Sequence, residues 1–190
     1  MSLKKKLLIY FAKKIGYKIY DPKYLKGKYF EKVDVGWLWV LKGLLFQKIL
    51  SFNKNVPWPV AHTVLVNNWK NIHFDSEDVN IFQTNGSYFQ AQDAHIYIGK
   101  GTWIAPNVGL ITTNHNIYNV SEHAGGQNVR IGEKCWIGMN SVVLPGVELG
   151  KNTIVAAGAV VTKSFPEGYC VIGGVPARIL KRIEIEKCVE

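Results

Sequence analysis

Of the five histidines in this chain, one, His115, stands where an otherwise regular pattern stops. It closes the stretch "LITTNH", residues 110–115, and is followed by "NIYNVSEHAGGQNVR", residues 116–130. Imidazole has a pKa of about 6.5 in water, so its neutral form can take a proton from a hydroxyl near neutral pH. His123 lies in the following segment and is placed to contact a substrate, whereas His62, His73 and His95 read as structural. Cys135, Cys170 and Cys188 make no even-numbered disulfide framework and no CxxC pair, so reduced thiols are expected and no metal site is read from them.

The pattern that stops at His115 has a period of six. From residue 131 the chain reads "IGEKCW", "IGMNSV", "VLPGVE", "LGKNTI", "VAAGAV", "VTKSFP". The first place is aliphatic (Ile131, Ile137, Val143, Leu149, Val155, Val161), and the fifth is small or β-branched until Phe165. Upstream, "IGKGTW", "IAPNVG" and "LITTNH" keep the same phase. Neither a helix nor a hairpin ladder has this period. A parallel β-helix does: one short strand and one turn per unit, three units per triangular coil. Asn or Gly at the fourth place (Asn107, Asn140, Gly146, Asn152, Gly158) suits turns that need positive φ. Residues 72–97 fit poorly and read as an irregular first coil or two. Residues 116–130 cannot fit inside a coil, so they are expected as an extruded loop, with "HAGGQ" as flexible backbone.

On "IAPNV", "CWIGMNSVVLPGV", "VVTK" and "GGVPARILKRI" the chain resembles the hexapeptide-repeat acyltransferases, and within them the maltose, galactoside and polysaccharide O-acetyltransferase branch. The resemblance implies an all-β fold, a left-handed parallel β-helix. Around it are expected a helical N-terminal segment, the loop 116–130 and a short C-terminal helix. The expected divisions are 1–60, 61–176 and 177–190. The resemblance also implies homotrimers with active sites between subunits, acetyl-CoA as co-substrate, and His115 as the general base for direct attack by an acceptor hydroxyl. A sugar hydroxyl on a surface-polysaccharide precursor is the acceptor expected. For binding it, the family's asparagine one coil upstream aligns with Gln90, a departure in side-chain length. Asn85, Asp93 and His123 are further candidates.

For the cofactor, the family pattern carries over to Met139, Ala157, Thr162, Lys163 and Arg178, with Lys181 adding charge. An arginine can hold a phosphate through two hydrogen bonds. Trp136 is expected to face outward, either walling the cofactor groove or covering the coil. "AAGA" departs mildly from the usual turn by its first alanine. No metal is expected.

Residues 1–60 hold 13 Lys against 3 Asp or Glu, while the rest of the chain is nearly neutral. Peripheral contact of residues 1–55 with an anionic membrane, or a solvated lysine face, would account for this. "VGWLWVLKGLLFQKIL", residues 35–50, is too interrupted to span a bilayer and reads as a helix lying in an interface or packed on the protein. No secretory cleavage site follows the first apolar run, so a cytoplasmic location is expected, with no nucleic-acid partner. Three rivals stand beside O-acetylation: N-acetylation of an amino sugar, a γ-class carbonic anhydrase holding zinc across a subunit interface through His95, His115 and His123, and a non-catalytic β-helix scaffold.

Overall fold

A computed structural model describes residues 3–187, so Cys188 lies outside the described residues. The chain divides into two compact units. One runs through Val64 and includes Ser76–Asn85; the other comprises Leu65–Asp75 and the residues from Gly86 onward. The expected boundary at 60/61 therefore moves to Val64, and Ser76–Asn85 leaves the β-helix for the first unit.

The second unit is wound from short strands, three to a full turn. The first coil has β1 (Leu65–Asn67) and β2 (Ile72–His73). The second has β3 (Tyr88–Gln90), β4 (Ile96–Ile98) and β5 (Trp103–Ile104). The third has β6 (Gly109–Ile111), β7 (Val129–Ile131) and β8 (Trp136–Ile137). The fourth has β9 (Val142–Val143), β10 (Glu148–Leu149) and β11 (Thr153–Val155). The fifth has β12 (Val160–Val161) and β13 (Cys170–Gly173), with Phe165 bridging to Leu149 between them. Like strands stack in parallel into three sheets, ordered β1-β3-β6-β9-β12, β2-β4-β7-β10 and β5-β8-β11-β13-β14. Among the described strands, β14 (Arg178–Arg182) alone runs antiparallel, against β13.

The hexads explain this winding. Their first residues, Ile131, Ile137, Val143, Leu149, Val155 and Val161, are all buried and form one apolar column. Burying each side chain contributes about 2 kcal/mol. The fifth-place residues Cys135, Ser141, Val147, Thr153 and Ala159 are buried too, with the Ser141 and Thr153 hydroxyls bonded to the Gly138 and Gly150 carbonyls at 2.7 Å. All five fourth-place residues expected to turn left-handed do so, with φ between 55° and 81°. Asn107 Nδ2 donates to Asn140 Oδ1 at 3.1 Å, tying neighbouring turns together. Second-place glycines allow adjacent coils to approach: a Cβ on Gly132 would lie 2.6 Å from the Lys151 nitrogen.

Three expectations are corrected. The chain is not all-β, because the first unit is helical. The C-terminal helix is absent over Arg178–Arg182, where the chain pairs as β14 with the open edge of β13; only a short 3₁₀ turn, Ile185–Lys187, follows. The loop ends before residue 130, since Val129 is buried and pairs with Ile96.

The first unit packs α1 (Leu3–Ile19) and α2 (Val35–Gly43), the latter continued by a π-helical turn, Leu44–Ile49. Ile9, Ala12, Tyr20, Leu25, Phe30, Trp37 and Val40 form its core. Trp37 is buried, and its Nε1–H donates to the Phe30 carbonyl at 2.8 Å. So α2 packs on α1 within its own unit. Gln47, 1% exposed, is a polar hub. Its Oε1 accepts from the Tyr20 hydroxyl at 2.9 Å and the Val60 N–H at 2.8 Å, while Nε2 donates to the Trp58 carbonyl at 3.1 Å. Gln47→Leu strands these buried groups and is expected to cost about 3 kcal/mol or more. The check is a lowered urea midpoint for the fluorescence of Trp37 and Trp58.

Candidate active site

His115 follows β6 at the corner between the first and second sheets. Its ring is exposed, and Nδ1 lies 2.8 Å from the Val120 carbonyl oxygen. A carbonyl only accepts, so Nδ1 carries the hydrogen. In the neutral ring Nε2 is then a bare acceptor, the form a general base requires.

The segment supplying Val120 is folded back on itself. His115 and His123 form an antiparallel bridge, Asn116 N–H donates to Glu122 at 2.8 Å, and Ala124 N–H donates to Asn114 at 2.8 Å. Gly126 packs on the Asp93 backbone, where a Cβ would come within 2.8 Å, so the expected flexible stretch is pinned at this glycine. Ile117, Tyr118 and Val120 stand exposed at the tip.

The upstream corner fixes the foot of this hairpin. Gln90 Oε1 accepts the Thr112 N–H at 2.9 Å and the Thr113 N–H at 3.1 Å, while Nε2 donates to the Thr113 carbonyl at 3.1 Å. Its amide thus holds the two residues before Asn114 and His115, a supporting place that the sequence reading did not assign to it. Asp93 and His123 do meet near His115. The two imidazoles lie edge to face at 4.9 Å, and the Asp93 carboxylate is 3.8 Å from His123 Nδ1. Gln92 Nε2 donates to that same nitrogen at 3.2 Å, leaving His123 Nε2–H as a donor. Gln92 was missed in the sequence; no spacing marks it. Asn85 belongs to the first unit, where its Oδ1 accepts from Thr63 at 3.1 Å beside a cavity of about 200 Å³ lined by Trp39, Lys42, Phe46 and His62.

The cofactor candidates fall into three groups. Thr162 and Lys163 follow β12, at the same corner as His115 and two coils further on, about 10 Å at the usual strand spacing. Met139 and Ala157 occupy successive turns at the corner between the third and first sheets. Trp136, Arg178 and Lys181 lie on the third sheet, Trp136 54% exposed and in register with Trp103 on β5. In a triangular coil the third sheet is the face opposite the corner that carries His115. One chain therefore separates His115 from Trp136.

Within one chain His95, His115 and His123 are not gathered into one cluster. His95 Nδ1 pairs with His73 Nε2 at 2.9 Å, and no three His, Cys, Asp or Glu among the described residues are grouped to hold a metal ion. Burial, and then His95, hold His73 below the ordinary imidazole range. Burial pushes the Cys135 thiol up to about 11, and Cys170 is also raised, so neither is a ready nucleophile.

The bacterial transferase hexapeptide model (six repeats) matches residues 128–163. The chain is 35% identical to the galactoside O-acetyltransferase of Escherichia coli (strain K12) over 54% of this chain and 51% of that one. A putative lipopolysaccharide biosynthesis O-acetyl transferase of the same strain is 33% identical over 62% of this chain and 64% of its own length. The chain spans about half the length of three curated relatives it matches. A galactoside acetyltransferase solved in complex with coenzyme A shares the fold, with a TM-score of 0.52 at 24% identity over 98% of this chain and 86% of that one.

Proposed function

We propose, for a chain whose residues 128–163 are hexapeptide repeats of the bacterial transferases, that it is an acetyl-CoA-dependent O-acetyltransferase acting on a sugar hydroxyl. The observation that carries this reading is the His115 ring, fixed through Nδ1–H to Val120 with Nε2 left bare. The acceptor oxygen attacks the thioester carbonyl carbon as its proton passes to Nε2. The C–S bond then breaks, and the leaving thiolate takes that proton from the imidazolium. No enzyme nucleophile takes part. His123 Nε2–H and the Asp93 carboxylate are placed to hold a polyol. Thr162 and Lys163, with Arg178 and Lys181, are the polar and cationic groups for the cofactor.

In this reading the coil winds left-handed and three copies pack side by side, each site joining His115 of one copy to Trp136 of the next. Their separation on a single chain supports this. The exposed tip residues Ile117, Tyr118 and Val120 are surface for a neighbour to cover. The acceptor proposed is a surface-polysaccharide precursor met on the cytoplasmic side, a reading supported by the likeness to the lipopolysaccharide relative.

The test has three arms. Coenzyme A is expected to raise the melting midpoint, since a ligand of the folded state stabilises it. A panel of sugars with acetyl-CoA is expected to release free thiol. Mixing His115→Ala and Trp136→Ala proteins under reversible dissociation is expected to restore about a quarter of native turnover, the chance that random pairing leaves both partners intact at one interface. No shift at millimolar coenzyme A would favour the scaffold, and no recovery on mixing would place both residues on one chain's site.

A further inference from the structure

The helix α1 carries a face that its own unit leaves open. Ile9, Ala12 and Gly16 turn inward. Leu3, Leu7, Tyr10 and Phe11, at i, i+4, i+7 and i+8, turn outward, with Leu7 68% and Phe11 53% exposed. Six lysines (Lys4, Lys5, Lys6, Lys13, Lys14, Lys18) share this helix with no Asp or Glu. On a helical wheel Lys4 and Lys6 flank the apolar stripe on either side, and Lys14 continues it.

Exposed apolar side chains on a soluble surface call for a partner. The charge decides which. A second copy of the same helix would set six lysines against six with no acid between them, and like charges repel. An anionic surface accepts both halves of the pattern: apolar side chains enter the acyl boundary, and lysine stems reach past them to the headgroups. No helix among the described residues is long and apolar enough to cross a membrane. We propose that α1 docks this protein, lying in the surface plane, on an anionic phospholipid bilayer through Leu3, Leu7, Tyr10 and Phe11, with Lys4, Lys6 and Lys14 on the headgroups. This goes beyond the acyl-transfer reading and does not depend on it.

The full-length protein is sedimented with vesicles of equal parts phosphatidylglycerol and phosphatidylcholine, and with phosphatidylcholine alone. Strong partitioning is expected only on the first. Leu7→Gln with Phe11→Gln, which keeps every charge, is expected to weaken it about 30-fold. Lys4→Gln with Lys6→Gln is expected to weaken it about 25-fold, at roughly fivefold per lysine. Both pairs change exposed residues, and each variant's coenzyme A thermal shift is measured alongside, so loss of docking is separable from loss of cofactor binding. Equal binding to both vesicle types, native partitioning of the Leu7/Phe11 variant, or dissociation of a native oligomer by that variant in light scattering would overturn the proposal, the last assigning the face to a second copy.

Discussion

His115→Ala is expected to lower turnover with acetyl-CoA and a sugar acceptor by about 100-fold or more, while coenzyme A still raises the melting midpoint as in the native protein. The split follows from geometry. His115 lies at the corner beside the hairpin, two coils from Lys163, and its ring hydrogen-bonds to Val120 in that hairpin. Removing the ring takes away the proton acceptor without touching the cationic positions. Its loss leaves one carbonyl on an exposed hairpin, where water replaces the donor, so the fold is expected to persist. A kcat that falls while the coenzyme A response stays intact is the result to look for. Near-native turnover would move the base elsewhere, with His123 next to test.

Gly132→Ala is expected to lower stability by about 3 kcal/mol, near the upper end for an overpacked interior, or roughly 10 °C in melting midpoint for a chain of this size. The added Cβ would sit 2.6 Å from the Lys151 nitrogen and 2.7 Å from the Gly150 carbonyl carbon. Both neighbours are backbone in the next coil and cannot rotate aside. The Gly132 N–H also donates to the Leu149 carbonyl at 2.7 Å, so relief by separating the coils would stretch this bond. Gly125→Ala is the matched control, because nothing lies within 4 Å of its added carbon, and it is expected to be nearly neutral. Equal melting of the two variants would mean the coils are not in the close contact described.

The β-helix was legible because it repeats. A position that faces the column every six residues must be apolar every time, and Ile131 through Val161 satisfy this in phase. The turns were legible for a similar reason, since Asn107, Asn140 and Asn152 occupy a backbone region that few other side chains tolerate. The irregularities are local substitutions for the repeat. Phe165 takes an interior place two residues early and bridges Leu149, so the phase slips where the fifth-place rule also failed. The C-terminal segment reads equally as an amphipathic helix. The free edge of β13 decides for a strand, and nothing in "ARILKR" announces that edge. At the site, His115 was found by the break in period. Gln90 was found only by alignment, and its use as a backbone clamp is visible only once both corners are in place.

The return of Ser76–Asn85 to the first unit has a practical corollary for anyone shortening this protein. Phe82 lies 5.0 Å from Trp58 ring to ring, and Gln83 Nε2 donates to the Pro59 carbonyl at 2.7 Å. A fragment cut after Val64 would keep Val79, Ile81 and Phe82 but lose the aromatic and backbone partners that shelter them. Such a fragment would expose a greasy ten-residue excursion between β2 and β3, prone to clumping. Removing that excursion as well, with a short polar bridge in its place, is the cut that follows the seams of the fold.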